Sequence, residues 1–493
     1  MKLRNVIKNI ELRGDPQISD IEVSGVAYDS RKVKSEELFV AIKGEETDGN
    51  CYVGQAIDLG AKAVLSENQK PLGFKIPWIQ VDQDRRALAQ AADNFYSHPT
   101  LDLRLIGITG TNGKTSTSYL IESILKEAGM RVGLLGTVGH RGPEWEASAV
   151  RTTPESSDLQ RFFRNFVEMK CSDVVVEVSS HALMMERVYA CRFRTAVFMN
   201  LTPDHLDYHN SMHHYFNAKR RLFFDTGYGP PDLSIINLDD PWGKSLSMTV
   251  PGLHTTFSLS EEADFQVLEY HLGWTGTRVN LKIPDGELEV TTCLVGRFNL
   301  SNLLAAVAVA SSLGLDRRAL KKGIEKCRLI PGRFERINCG QEFHVIVDYA
   351  HTPDALENVL KTARQLQPRK LLILFGCGGD RDQSKRSLMG SIAEKWSDFV
   401  MVTSDNPRSE NPLEIILEIQ KGFHSNNHNV HLDRLQAIRH IIKRARKKDV
   451  VILAGKGHES EQQVAGQFRY FDDRQAARMV LQEMGYGDSA NVQ

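Results

Sequence analysis

The stretch GITGTNGKTSTSYL, residues 107–120, decides how this chain is built. It continues an apolar run, LRLIGIT, that reads as a buried strand, and it opens a helix near Lys114. Strand, glycine-rich loop, Lys-Thr and helix in that order make a phosphate cradle. Glycines let backbone N–H groups approach phosphate oxygens, and a helix N-terminus adds a favourable partial charge. In that reading Gly110, Thr111, Asn112, Gly113, Lys114, Thr115 and Ser116 hold a nucleotide. Lys114 reaches its β- and γ-phosphates, and Thr115 ligates Mg2+. The common phosphate-loop pattern asks for Gly six positions before the Lys, where this chain has Ile108. The bland alternative is a glycine-rich turn with no ligand.

Outward from the loop, the 493 residues divide into three blocks, as the length prior suggests. Residues 1–98 read as a small α/β unit, with short strands and turns in GVAYDSRKVKSEELFVAIKG, a helix near residues 53–59 and a strand in AKAVLSE. Residues 99–331 hold LRLIGIT, RVGLLGT, DVVVEVSS and TAVFMN, short apolar runs with helical stretches between them, which predicts a mostly parallel sheet. PGRF at 331–334 marks the second boundary. Residues 332–493 hold FHVIVDY, KLLILFG, DFVMVTS and DVVILAG, four buried-looking strands of a doubly wound, Rossmann-like sheet. The expected fold class is therefore α/β, with a central mononucleotide-binding parallel sheet and a second such sheet towards the C-terminus. The tail GYGDSANVQ is expected to fray.

Composition narrows the function. Apolar residues are 41% and charged residues 25%, with a net charge of -1, so nothing favours a nucleic-acid or membrane surface. The basic run KRARKK at 443–448 reads as the wet face of a helix. Seven Cys without a CxxC pair fit reduced thiols in a cytoplasm. The charged start MKLRNVIKNIEL is no signal peptide, and no window approaches 18 uncharged apolar residues.

The polar residues of the third block gather where a site belongs. Asp348, residues 378–381, Asp405 to Arg408 and Gly455 to Glu459 all fall at or just past the carboxyl ends of its strands. The central block carries a lysine on an apolar face. In HHYFNAKRRLFF, Tyr215, Ala218, Leu222 and Phe223 mark one helical stripe, and Lys219 lies on it. Such a lysine either snorkels to water or loses its proton, and the residues alone favour snorkelling. A neutral amine can take up carbon dioxide as a carbamate, an anionic ligand for Mg2+. Nearby, His205, His209 and His213 have i, i+4 spacing for zinc, without the Cys or HExxH context that would support it. Glu177 ends a strand, either as a magnesium ligand or as a capped polar end.

Taken together, GTNGKTS, EVSSHAL, LTPDHLDYH, AKRRLF, GRFNLSN, PGRFE, VDYAHTPDAL, GCGGDRD, DNPRSE and GKGHE resemble the Mur ligases. The resemblance runs from Asp29 nearly to the end, and is nearest to the members that add meso-diaminopimelate to UDP-N-acetylmuramoyl-L-alanyl-D-glutamate. The family's phosphate loop is shorter and starts at Gly110, so Ile108 is no departure. The resemblance implies three domains, for the uridine nucleotide, for ATP and for the amino acid. It implies an ATP- and Mg2+-dependent amide ligase of peptidoglycan synthesis, with roles in cell shape and division, expected as a cytoplasmic monomer. It marks Lys219 as carbamylated, against the snorkelling preference, and gives Glu177 and His205 to magnesium beside Thr115. It gives Ser30, Thr152, Thr153, Ser179 and Arg187 to the UDP-muramoyl substrate, and Asn299 and Arg333 to ATP. Asp348 and His351 would lie near the reacting atoms. Met185 stands where the family often has a substrate-contacting Gln, and Arg151 where a smaller polar residue is common.

The loop SDNPRSENP would choose the amine. Arg408 offers a planar fork to a carboxylate, Arg381 a second cation, and Asp405 and Glu459 anions for an ammonium, with Asn406, Pro407 and Gly455 beside them. Meso-diaminopimelate has two carboxylates and two amines and suits both kinds of group. Lysine lacks the distal carboxylate and would leave Arg408 unpaired. The rival readings are a lysine-adding or folate-directed relative, and a nucleotide switch that hydrolyses ATP without any amino acid.

Overall fold

A computed structural model of the chain describes residues 1–14, 20–44 and 47–487; the end of the tail, 488–493, lies outside them. Three main sheets follow one another along the chain, each with its own apolar core. The first has four parallel strands in sequence order, Val26–Ala27, Leu38–Val40, Ala63–Ser66 and Trp78–Gln80. The helix Asp84–Phe95 turns Ala87, Leu88 and Ala91 onto that sheet.

The second sheet has eleven strands. Its parallel centre runs Leu233–Asn237, Phe193–Phe198, Arg104–Thr109, Asp173–Glu177 and Val132–Leu135. These strands are buried on both faces, which is why they read as continuous apolar runs. One edge carries an antiparallel meander, Phe265–Gly273, Gly276–Ile283 and Gly286–Thr292, absent from the four strands expected in this block. Its alternating pattern leaves one face on the core, where Val267, Val279, Leu281 and Val290 pack.

In the third sheet the order is Glu335–Ile337, His344–Asp348, Val450–Ala454, Leu371–Phe375, Phe399–Thr403 and His428–His431. The first strand is antiparallel and the rest are parallel, with one core on each face. This is the doubly wound α/β arrangement expected, and its parallel strands bring Asp348 and the loops after 375, 403 and 454 to one edge. The basic run at 443–448 is not one helical face. Only Lys443 and Arg444 belong to the helix Arg434–Arg444, which ends where buried Ala445 turns extended.

Candidate active site

The phosphate loop leaves the strand Arg104–Thr109 and enters the helix Lys114–Glu127. Two glycines make the turn possible. Gly113 has φ +91, and a Cβ there would strike the Asn302 side-chain oxygen; a Cβ on Gly110 would sit 2.8 Å from that of Met199. Lys114 folds back so that its Nζ donates to the carbonyls of Gly110, at 2.7 Å, and Thr111, at 2.9 Å. Burial lowers its pKa, partly offset by the Glu177 charge.

Lys219 is 1% exposed and does not snorkel. Its Nζ donates to the same Gly110 carbonyl at 2.9 Å and lies 4.6 Å from the Tyr215 ring centroid. Burial, then the Lys114 charge, holds its pKa well below the ordinary lysine value. The stripe that carries it is real: Tyr215, Ala218, Leu222 and Phe223 are all buried. Carbamate formation requires a neutral amine, and burial shifts Lys219 in that direction.

Glu177, fully buried, accepts from Thr115 Oγ1 at 3.0 Å and from Thr137 through both its hydroxyl, at 2.8 Å, and its N–H, at 3.1 Å. An octahedral Mg2+ with bonds of about 2.1 Å separates neighbouring oxygens by about 3 Å, so the Thr115–Glu177 pair fits one edge of such a shell. Among the described residues no cluster of three or more His, Cys, Asp or Glu converges on a metal position. His205 faces Asp204 instead, Nε2 to Oδ2 3.4 Å, and Lys219 lies on Gly110, so the four expected magnesium ligands are not gathered into one cage. The zinc alternative fails for a local reason. The helix Leu206–His209 stops at Asn210, φ +61, and a new one starts at Met212, which breaks the i, i+4 register. His209 hydrogen-bonds Ser180 at 2.9 Å, while His213 packs edge-on against Trp242.

The carboxyl edge of the third sheet closes over this loop. Arg333 donates to Thr115 Oγ1 at 3.2 Å, and Asn112 donates to Asp354 at 2.9 Å. Between them lies a cavity of about 540 Å³. It is lined by Thr111 to Ser116, Thr152, Glu177, Ser179, His205, Arg333, His351, Arg381, Asp405, Asn406, Arg408, Gly455 and Glu459, so residues far apart in sequence meet there. His351 Nδ1 sits 2.8 Å from the Tyr349 carbonyl, to which it must donate, leaving Nε2 as an acceptor. Burial lowers the His351 pKa, so the ring is neutral. Glu459 accepts from Asn406 at 3.0 Å, and burial plus the Asp405 charge raises its pKa. Arg408 donates to the Gly379 carbonyl at 2.6 Å and retains further donors.

Several expected contacts do not face the cavity. Asp348 is engaged at both oxygens by backbone N–H groups, Phe334 at 2.6 Å and Ala350 at 2.8 Å. Burial raises its pKa to about 6. It anchors the turn that presents Arg333. Asn299 spends its amide on the Val295 carbonyl and on Asn302. Gly110 and Pro407 shape the loops without lining the space. Thr153 donates to the Glu177 carbonyl at 2.7 Å. Arg187 pairs with buried Glu155 at 2.9 Å and touches Met185 sulfur at 3.1 Å. Ser30 lines a separate cavity of about 780 Å³ between the first two sheets, bonded to Gln55. Arg151 and Val150 line both cavities, so the two adjoin.

Sequence reading passed over Thr137 and Lys385 and took His458 only as part of the run Gly455 to Glu459; all three also line the smaller cavity. His458, in GKGHE, is held neutral with a pKa of about 3 by burial and the nearby Arg333 charge. Lys456 of the same motif, wholly buried, bridges Glu459 at 3.2 Å and Asn406 at 3.3 Å. Nothing local marks Thr137 or Lys385; only the fold brings them in.

Comparison with known proteins agrees with this arrangement. The Mur ligase middle domain family matches residues 108–310, the Mur ligase glutamate ligase domain 332–457, and the Mur ligase family catalytic domain 22–96. The UDP-N-acetylmuramoyl-L-alanyl-D-glutamate–2,6-diaminopimelate ligase of Syntrophomonas wolfei is 44% identical over 486 residues, 98% of this chain and 99% of that one. The protein of the same name from Bacillus licheniformis is 43% identical over 490 residues, with 98% and 99% coverage. A solved structure of a ligase of that name superposes with a TM-score of 0.69 at 32% identity, covering 99% of both chains. Identity of this order over nearly the whole length, on three successive matched domains, means that the chain belongs to the Mur ligase family.

Proposed function

We propose that this chain is the ATP-dependent ligase that adds meso-diaminopimelate to UDP-N-acetylmuramoyl-L-alanyl-D-glutamate in peptidoglycan precursor synthesis. The observation that carries the reading is the single cavity that holds the phosphate loop on one wall and Arg381, Asp405, Arg408 and Glu459 on the other. Its relatives of about 44% identity bear the name of that activity.

Joining a carboxylate to an amine in water is uphill, so the carboxylate must be activated. The D-glutamyl side-chain carboxylate attacks the γ-phosphorus of ATP, and the bond to the β-phosphate oxygen breaks, giving an acyl phosphate and ADP. Lys114 and Arg333 lie where they offset the charge of the approaching anions. Mg2+, held by Thr115 and Glu177, would supply further neutralisation. The amine of diaminopimelate then attacks the acyl carbon, and phosphate leaves from the tetrahedral intermediate. Nε2 of His351 is the acceptor for the ammonium proton. The acyl phosphate must be shielded from water, and the contacts Arg333–Thr115 and Asn112–Asp354 shut the third sheet over the loop.

Carbamylated Lys219 would place a negative group behind Gly110, in place of the buried amine, and offer oxygen ligands near His205. The larger cavity around Ser30 takes the uridine nucleotide, and the muramoyl peptide passes Arg151 into the smaller one. We place the reaction in the cytoplasm and the enzyme as a monomer, serving cell shape and division. Among the described residues no helix is long and apolar enough to cross a membrane.

The test is phosphate release by the purified chain with ATP, Mg2+, the UDP-muramoyl dipeptide and a panel of amino acids. Release that requires the dipeptide and diaminopimelate together supports the reading. Equal use of L-lysine supports a lysine-adding relative, and release with ATP alone supports a nucleotide switch.

A further inference from the structure

Arg408 sits in a conformation it would not choose. Its φ is +51, in the left-handed region that disfavours a non-glycine residue, and it follows Pro407 in a loop without regular structure. Something outside the loop must hold it. The holder is a two-stranded hairpin more than fifty residues later, Glu461–Val464 and Gln467–Tyr470, which stands apart from the six-stranded sheet.

The links are numerous and almost all run to the loop's backbone or to Asn406. Arg408 N–H donates to the Gln463 carbonyl at 3.1 Å, and Ala465 N–H donates to the Arg408 carbonyl at 2.8 Å. Arg408 and Val464 thus form an isolated parallel bridge. Gln463 N–H donates to Asn406 Oδ1 at 3.0 Å, and Gln462 Nε2 donates to the Asp405 carbonyl at 2.6 Å. At the hairpin's root, Lys456 donates to the Glu461 carbonyl while also touching Asn406 and Glu459. No hairpin residue lines the cavity, and Phe468 and Tyr470 are two-thirds exposed.

We propose that the hairpin Glu461–Tyr470 is a positioning strap for amino-acid selection: by pairing with residues 405–408 it fixes the backbone from which Arg408 and Asp405 reach the substrate. The guanidinium then has one place to be, over Gly378 and Gly379, and its free donors face the cavity. An arginine fork discriminates only when its base is fixed, because a mobile fork can retract to water when the distal carboxylate is missing. The strap therefore acts on selectivity and on diaminopimelate binding, and not on phosphate transfer. This rests on the function proposed above.

The test compares Ala465→Pro, Ala465→Gly and Gln462→Ala with the unaltered enzyme, measuring KM for each substrate and the preference for diaminopimelate over L-lysine. Proline removes the N–H that holds Arg408 and cannot adopt the φ of +48 at this position; glycine keeps both. Ala465→Pro should raise KM for diaminopimelate about 10-fold or more and narrow the preference over lysine by about as much, with KM for ATP changed less than about 2-fold. Gln462→Ala should move the same way by about 3-fold, and Ala465→Gly should keep the original KM. An unchanged diaminopimelate KM in the proline variant overturns the proposal, as does a parallel rise for all three substrates with a lowered Tm. If the unaltered enzyme does not use diaminopimelate, the function itself is wrong and the strap falls with it; if it does and the variants are indifferent, only the strap is wrong.

Discussion

Lys114 and Lys219 place their Nζ atoms on one carbonyl oxygen, that of Gly110, at 2.7 and 2.9 Å. Two ammonium groups on one acceptor would repel, and burial lowers both pKa values, with the Glu177 charge offsetting part of this for Lys114 and the Lys114 charge adding to it for Lys219. Lys114 lines the cavity and is the one a phosphate would draw outward, while Lys219 stays behind the loop, where burial favours its neutral form.

Replacing Lys219 with Ala should lower kcat at least about 100-fold, the cost typical of losing one charge-stabilising group. Added bicarbonate should not restore activity, because the amine is gone, whereas a short-chain carboxylate filling the space should restore part of it. Activity assays with and without acetate check this, with Tm as the control for folding. No rescue by any small carboxylate counts against the carbamate.

Arg408→Ala should lower kcat/KM for diaminopimelate about 1,000-fold, the scale for leaving a buried carboxylate without its charged partner. ATP binding should stay within about 2-fold, since Arg408 contacts the opposite wall of the cavity from Lys114. Arg408→Lys should recover little, because a point charge does not reproduce the planar fork. Nucleotide titration of the variant decides the matter: equal loss of ATP affinity defeats the assignment.

Arg434 and Asp473 form a wholly buried double hydrogen bond, Nε to Oδ1 2.7 Å and Nη2 to Oδ2 2.6 Å. The same guanidinium also donates to the carbonyls of Ala454, which ends the strand leading to Gly455, and Ser404, just past the strand Phe399–Thr403 that leads to Asp405. Arg434→Met strands Asp473 as an unpaired buried carboxylate and should destabilise the third domain by about 3–5 kcal/mol. Differential scanning calorimetry should show its transition shifted down by several degrees. An unshifted transition would mean that water reaches the pair.

Acid should weaken the fold through the histidines of the central domain. His209 is buried against Ser180, and burial, with neighbouring His181, lowers its pKa from 6.5 to about 4. A folded value below the unfolded one means that the unfolded chain takes up the proton first. Stability from this group is therefore complete above pH 6.5 and is lost as the pH falls towards 4, by about 2–3 kcal/mol at pH 4.5. Urea unfolding at pH 7.5 and 4.5 should show a smaller pH difference for His209→Gln than for the unaltered chain. The same difference in both would assign the acid sensitivity elsewhere.

Local chemistry was enough to read the phosphate loop, the Rossmann-like strands and the polar edge of the third sheet. A positive φ favours glycine, a strand buried on both faces demands an unbroken apolar run, and a strand end is set within a few residues. The stripe around Lys219 was equally local, although only the tertiary structure removed water from its amine and set it beside Lys114. What the sequence left undetermined was the partner of each polar group. Asp348 and Asn299 turned inward to backbone and to Asn302, Thr137 and Lys385 arrived at the cavity from elements with no motif of their own, and a hairpin at 461–470 took charge of Arg408. Hydrogen bonds and ion pairs form between atoms a few ångströms apart in space, and sequence spacing carries that distance only within one helix or strand.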